Sequence, residues 1–171
     1  MRATVTADDS IASTLEELYV RHAPAALRLA YFLTGDPEAA RDLVQDAFVR
    51  VAGRFRHLRQ PEAFDAYLRR TIVNLHTSGL RRLRTERSSL AREAALTVSV
   101  VPEDDHGVRD EMWQAILSLP PRQRAAIVLR YYEDLSEWQA AEVLHCSVGA
   151  LNQLVVRAMA TLRTRIGKEA G

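Results

Sequence analysis

The sequence predicts an all-α protein, with two small helical domains joined by an acidic linker, the second containing a helix-turn-helix. Only 7 glycines and 6 prolines occur among 171 residues, and the hydrophobic and charged fractions of 47% and 26% suit a folded chain. Apolar residues recur at three- and four-residue intervals through most of the chain. The stretch 97–107 has weak helix propensity and several acids. We therefore expect domains at 10–96 and 108–167, joined by a linker at 97–107.

The first domain is predicted to hold three helices, over 14–33, 37–53 and 61–77, with a basic helical continuation to about residue 96. Ser13 and Glu16 have the spacing of a capping box before the first helix. Asp36 and Pro37 suit the N-cap and first position of the second helix. Ser78-Gly79 is a candidate bend or break in the third.

In the second domain, helices are expected over 108–119, through 127–131, and over 137–144 and 148–165. The last two have the layout of a helix-turn-helix, with Ser136 and Ser147 as N-caps. Ala140 and Ala141 are small enough for a close helix crossing. On spacing alone, a helical hairpin without a DNA role is an equally good interpretation. The exposed face of the last helix would include Ser147, Gly149, Ala150, Asn152, Gln153 and Arg157.

The second predicted helix carries acidic and amide residues along one flank. They recur at i, i+4 and i+8 spacing and are Glu38, Asp42, Gln45 and Asp46. Such a flank suits docking to a basic partner. Taken alone, a solvated helix face is the simpler explanation.

The third predicted helix and its continuation are rich in arginine. The arginines are Arg69, Arg70, Arg81, Arg82, Arg84 and Arg87, and Tyr67, Asn74, His76, Thr77 and Ser78 lie beside or between them. Arginines neutralise phosphates, while aromatic and short polar groups contact unpaired bases. A basic helix exposed for solubility is the alternative, but six arginines on one side favour nucleic acid.

Several classes of function are disfavoured by the sequence. The one cysteine, Cys146, excludes an internal disulfide. No apolar run approaches the ~20 residues of a membrane span, so we expect a cytoplasmic protein without membrane association. The histidines lack metal-site spacing and no phosphate loop occurs, which predicts no metal, no cofactor and no catalytic residue. Trp113 and Trp138 are expected to pack between helices.

Together these features resemble the extracytoplasmic-function group of bacterial RNA polymerase sigma factors. The resemblance rests on DLVQDAF (Asp42–Phe48), on LPPRQR (Leu119–Arg124), and on the LS-x4-AEVL pattern that follows. It implies that core RNA polymerase binds the acidic flank and that promoter DNA binds both domains. An anti-sigma factor is a further candidate partner. The acidic residues Glu103, Asp104 and Asp105 would belong to the family's connector.

The resemblance also assigns the candidate DNA contacts to promoter elements. The −10 element would be contacted by Tyr67, Arg69, Arg70, Asn74, His76, Thr77, Ser78, Arg81, Arg82 and Arg84. The −35 element would be contacted by Ser147, Ala150, Asn152, Gln153 and Arg157.

The recognition helix departs from the family's usual S-V-G-T-V-K-S-R. Ala150 replaces a threonine, Asn152 a lysine and Leu154 an arginine. Three explanations remain open: an unusual adenine-rich −35 sequence, weak −35 binding, or a protein-binding surface formed by Leu154 and Val156. The third would make the chain a sigma-like regulator instead of a promoter-specificity subunit.

Overall fold

The computed structural model describes residues 7–54, 61–89 and 107–169, with side chains described for 14–54, 63–79 and 111–167. In chain order the helices are α1 (Ala7–Thr34), α2 (Pro37–Arg54), α3 (Pro61–Ser89), α4 (Gly107–Leu117), α5 (Pro121–Ile127), a π-helical turn (Val128–Tyr132), α6 (Glu137–Val143) and α7 (Val148–Glu169). No strand occurs in these ranges, and the predicted all-α class is confirmed. Of the predicted linker, only Gly107 lies among the described residues, and it begins α4.

Two local predictions for the first three helices are wrong. Helix α1 begins at Ala7, so Ser13 lies inside the helix and is not its N-cap residue. Residues 7–13 contain no glycine or proline that would stop the helix upstream of Ser13. Helix α3 continues through Gly79 to Ser89, because one interior glycine costs only about 1 kcal/mol.

The tight connection between α1 and α2 forms as the sequence predicts. The Asp36 carboxylate accepts a hydrogen bond from the Glu38 backbone N–H at 2.9 Å, and Pro37 occupies the first helical position. Gly35 precedes this cap at φ +74°, a conformation that favours glycine. A Cβ atom at Gly35 would also lie 2.7 Å from Leu117 Cδ2, so α1 and α4 meet closely here.

Helices α6 and α7 form the predicted helix-turn-helix. Ser136 and Gln139 form a complete capping box at the start of α6, and the Ser147 hydroxyl accepts from the Ala150 N–H at 3.1 Å. The two helices meet at 95°, within the range of this motif. Ala140 and Ala141 are buried as expected.

The helices before and after the predicted linker share one hydrophobic core. We call α1–α3 the N-terminal half and α4–α7, with the π-helical turn, the C-terminal half. One contiguous cluster joins the two halves and includes Leu33, Val44, Phe64 and Ile72 from the first, and Val128, Leu129, Ala140 and Leu151 from the second. A smaller cluster of six buried residues lies within the C-terminal half.

Aromatic contacts extend this packing across the boundary between the halves. Trp113 on α4 stacks on Tyr31 at a centroid distance of 5.3 Å and meets Phe32 edge-on at 5.1 Å. Tyr132 in the π-helical turn packs on the same Phe32 at 4.2 Å. The prediction that tryptophans pack between helices therefore holds for Trp113. It is wrong for Trp138, which is 66% exposed.

The guanidinium of Arg124 hydrogen-bonds to backbone carbonyls in both halves. Arg124 on α5 donates to the backbone carbonyl of Leu33 at 2.6 Å, and also to those of Leu117 and of Leu119, the latter at 3.3 Å. These carbonyls lie at or just beyond the C-terminal ends of α1 and α4, where helices carry partial negative charge. Burial lowers the pKa of Arg124.

His76 lies on the inner side of α3, close to this guanidinium. Burial and the positive charge of Arg124 lower the pKa of His76 from 6.5 to about 4, so the imidazole is neutral near pH 7. Its Nε2 atom is buried and has no hydrogen-bond partner in the described structure. A proton on His76 would place a second positive charge beside Arg124.

Arg124→Met should lower the free energy of unfolding by about 3 kcal/mol, because three carbonyls lose a charged donor at once. Urea unfolding followed by circular dichroism measures this loss. Arg163→Met on the exposed face of α7 is the matched control and should change stability by less than about 0.5 kcal/mol. If Arg124→Met lowered the free energy of unfolding by less than about 1 kcal/mol, Arg124 would not be a main contact between the halves.

Acid should destabilise the fold through His76. The unfolded chain binds a proton near pH 6.5 and the folded chain only near pH 4, so this stability is present above pH 6.5 and is lost as pH falls towards 4. Between pH 7 and pH 5 the loss attributable to His76 is about 2 kcal/mol. Urea titrations at both pH values should show that His76→Leu removes this part of the acid sensitivity; an equal acid effect in both proteins would refute it.

Candidate polymerase and nucleic-acid interfaces

The acidic flank of α2 is exposed in the described part of the chain. Glu38, Asp42, Gln45 and Asp46 are all exposed on one side of the helix. The opposite side is buried through Ala40, Val44, Ala47, Phe48 and Val51. Amphipathic packing thus fixes α2 in the core and turns the carboxylates outwards. The predicted exposure of this flank is therefore confirmed.

Helix α3 carries the predicted −10 contacts, and the C-terminal half covers several of them. The Arg69 guanidinium pairs with Glu133 at 2.9 Å and with Asp65 at 2.8 Å. The Arg70 guanidinium pairs with Glu142 at 2.7 Å.

The neighbouring polar residue Asn74 is paired in the same way. Its amide nitrogen lies 3.0 Å from His145 Nε2 in the turn of the helix-turn-helix. Three predicted DNA contacts, Arg69, Arg70 and Asn74, therefore face protein groups in this arrangement.

The remaining predicted −10 residues are placed differently. The half-buried Tyr67 hydroxyl accepts from Arg54 at 2.6 Å, and Thr77 bonds within α3 to the Val73 carbonyl at 2.9 Å. His76 faces inwards, and Ser78 is exposed. The backbone of Arg81, Arg82 and Arg84 continues α3, while their side chains lie outside the described part of the chain.

The predicted −35 residues share one accessible surface of the helix-turn-helix. Ser147, Ala150, Asn152, Gln153 and Arg157 are all exposed. The Asn152 amide donates weakly to the Glu137 carboxylate at 3.4 Å, which leaves most of its hydrogen-bonding capacity available. Leu154 instead is half-buried and packs against the core shared by the two halves. Leu154 therefore contributes to packing and not to the exposed face of α7.

The residues that join the halves were missed by reasoning from the sequence. Arg124 lies within the LPPRQR motif, but nothing in the sequence marks it as an interior residue. Glu133 and Glu142 are ordinary acidic residues in the sequence, and their partners lie 64 or more positions away. Only the tertiary structure shows which acidic residues face the arginines of α3.

The described residues offer little that would hold a metal or span a membrane. Within the residues whose positions are described, no group of three or more histidine, cysteine or acidic side chains is placed to hold a metal. Across the same residues, no individual helix has both the length and the apolar character to cross a membrane. The bent pair Glu137–Val143 and Val148–Gly167 meets that test only when its members are taken together.

Comparison with known protein families agrees with this architecture. The family described as Sigma-70 region 2 matches residues 18–86, which lie within α1–α3 and their connections. The family described as Sigma-70, region 4 matches residues 109–162, which cover the helix-turn-helix and the helices before it.

Similar proteins share most of the chain. The RNA polymerase sigma-E factor of Streptomyces avermitilis is 34% identical over 151 residues, covering 88% of this chain and 84% of that relative. The ECF RNA polymerase sigma factor SigE of Mycolicibacterium smegmatis is 31% identical over 173 residues, covering 96% of this chain and 66% of that relative.

A solved structure shows that the fold is shared as well. The sigma factor RpoE of Bartonella quintana, in complex with the anti-sigma factor NepR, has a TM-score of 0.71 at 21% identity, covering 89% of this chain and 96% of that one. Sequence motifs, helical architecture and relatives agree: this chain belongs to the extracytoplasmic-function group of RNA polymerase sigma factors, which direct promoter-specific transcription initiation.

Proposed function

We propose that three surfaces of this chain divide the work of a sigma factor. The acidic flank of α2 docks on core RNA polymerase, α3 contacts the −10 element, and the exposed face of α7 contacts the −35 element. The observation that carries the docking assignment is the row of exposed acids opposite a fully buried helix face. The chain acts as a non-enzymatic subunit in the cytoplasm.

The docking surface suits a basic partner helix on physical grounds. Asp42 and Asp46 are one helical turn apart, so their carboxylates present a continuous negative edge. Complementary charge speeds association and fixes the orientation of the partner. Glu38 and Gln45 extend the edge in both directions along α2.

On α3, the proposed −10 contacts combine charge with base-edge chemistry. Arg69 and Arg70 neutralise phosphates, and Asn74 supplies an amide for an unpaired base. Tyr67 offers an aromatic ring beside them. These contacts require the C-terminal half to move from α3, since it pairs with three of these residues.

At the −35 element we propose weak, amide-based recognition. Asn152 and Gln153 are exposed and can pair with adenine, and Arg157 is placed for phosphate. The alternative of a protein-binding patch loses support because Leu154 packs against the core. Only Val156 of that patch is largely exposed, at 62%.

An anti-sigma protein is a further proposed partner. The related RpoE structure contains a sigma factor in complex with the anti-sigma factor NepR. By extension, this chain would also bind an anti-sigma protein. Our proposal for core polymerase and promoter DNA does not depend on it.

The double variant Asp42→Lys/Asp46→Lys tests core docking. Reversing two exposed charges should weaken binding to purified core polymerase at least roughly tenfold and abolish promoter-specific initiation on genomic templates. Fluorescence anisotropy and run-off transcription measure the two effects.

The matched control for core docking is Glu16→Lys/Glu17→Lys, which makes the same charge change on the exposed side of α1. This control should bind core polymerase like the original chain, and circular dichroism should show that both variants fold. Normal core affinity in the α2 variant would reject the docking surface. A lack of promoter-specific initiation with the original chain would reject the function itself.

Asn152→Lys tests whether α7 meets DNA. One restored cation should raise holoenzyme affinity for promoter duplex and steepen the salt dependence of log K by about one unit. Asn152→Gln keeps the site neutral and is the control. Titrations at several salt concentrations measure the slope; identical slopes for the two variants would place the helix away from DNA phosphates. An arginine at position 154 is a poorer test, because it would disrupt core packing.

A further inference from the structure

The Arg54 guanidinium joins the end of α2 to the second turn of α3. Arg54 is the last residue of α2, and its Nη1 donates to the Tyr67 hydroxyl at 2.6 Å. Arg54 is exposed, and both partners belong to the N-terminal half. Tyr67 is among the residues that the proposed function gives to the −10 element, whereas Arg54 has no role in that proposal.

The charge of Arg54 has no acidic partner in the described part of the chain. Each ion pair found there involves other residues, and Arg69 and Arg70 on α3 are both paired with carboxylates. A guanidinium carries several N–H donors, and the hydrogen bond to Tyr67 uses one of them. An exposed cation with donors to spare is well suited to bind a phosphate.

The Tyr67 ring supplies a stacking surface beside this cation. Tyr67 packs partly against the shared core and is half-buried. The hydroxyl lies at the edge of the ring, so a hydrogen bond there holds the ring without covering its faces. Aromatic rings stack on unpaired bases whatever their sequence. A nucleotide stacked on Tyr67 would therefore have a cation close to its own phosphate.

A role confined to the end of α2 is the simpler alternative for Arg54. A cation in the last turn offsets the partial negative charge at the C-terminal end of a helix. Such a role involves neither Tyr67 nor DNA, and it predicts an effect on stability alone. The hydrogen bond to a side chain on another helix favours a role beyond it.

We propose that Arg54 and Tyr67 together bind one nucleotide of unpaired DNA, with its base on the Tyr67 ring and its phosphate on the Arg54 guanidinium. Arg54 is also a positioning residue, because its hydrogen bond holds the ring in one orientation. The inference rests on the proposed −10 role of α3 and extends that surface onto α2. The ligand is single-stranded, since a base inside a duplex is already stacked on its neighbours.

The test measures binding of the full chain to two fluorescein-labelled strands by anisotropy. One strand is oligodeoxythymidine, and the other has the same length with abasic sites in place of the thymidines. Because the strands share their phosphates, the ratio of the two affinities measures binding through the bases. Arg54→Met removes the cation, and Arg28→Met is the matched control at an exposed position on α1.

Arg54→Met should weaken binding to both strands roughly three- to tenfold and flatten the salt dependence of log K by about 0.7, the value of one phosphate contact on a single strand. Arg54→Lys keeps a cation and should retain the slope, as should Arg28→Met. Equal changes in Arg54→Met and Arg28→Met would overturn the phosphate contact, since net charge alone would then explain them. The proposal is also overturned if the original chain binds both strands equally or neither.

Tyr67→Phe tests the positioning role, because it keeps the ring and removes the hydroxyl. It should lower the affinity ratio of the two strands by roughly two- to threefold. Arg54→Met/Tyr67→Phe should lower this ratio no further than Arg54→Met, since both changes break the same hydrogen bond. Additive losses would show that Arg54 does not act through the ring. Circular dichroism checks that each variant folds.

Tyr67→Leu separates this inference from the function on which it rests. Removing the ring should lower the affinity ratio roughly tenfold, while leucine fills the partly buried position. If Tyr67→Leu has this effect and Arg54→Met behaves like Arg28→Met, the role of Arg54 is rejected and the proposed −10 role of α3 stands. If neither Tyr67→Leu nor Arg54→Met changes binding, the proposed contact of Tyr67 with the −10 element is rejected as well.

Discussion

The arrangement of this protein depends on one half-buried guanidinium. Arg124 donates to carbonyls at the end of α1 and at the end of α4, so a single side chain satisfies acceptors that both helices would otherwise leave open. The described ion pairs give it no carboxylate partner; the ends of two helices compensate its charge. Since these helices belong to different halves, the interaction fixes how the halves meet.

A shared hydrophobic core joins the same two halves. Each half alone is small and would bury a modest apolar surface, whereas together they form one continuous cluster. Trp113 between Tyr31 and Phe32 extends the same packing to the outer edge of the interface. Stability gained in this way places the helix-turn-helix over α3 and pairs the arginines of α3 with acids.

This arrangement suggests an order of events for a sigma factor. The acidic flank of α2 is exposed while the halves are packed together, so the proposed docking to polymerase does not need them to separate. The proposed contact of α3 with opened DNA does need separation, because Glu133 and Glu142 pair with Arg69 and Arg70 in this arrangement. On α7, the polar residues proposed to read duplex DNA are exposed, while Leu154 packs against the core.

Much of the fold, and the exposure of the α2 flank and of the polar face of α7, could be predicted from the sequence. The helical class, the N-caps at Asp36, Ser136 and Ser147, and the exposed flank of α2 depend on spacing within one or two helical turns. Such short-range features are governed by backbone hydrogen bonding and side-chain periodicity. The errors at Ser13 and Gly79 arose where a weak local signal competed with a helix able to continue past it.

The tertiary structure alone decided how the halves meet. Arg124 and Leu33 are 91 positions apart, and Asn74 and His145 are 71 apart, so no local pattern links them. The same limit applies to Trp138, whose exposure depends on which neighbours reach it. The sequence determined which helices form and which residues they carry; only packing between distant helices determined which of those residues remain free to bind a partner.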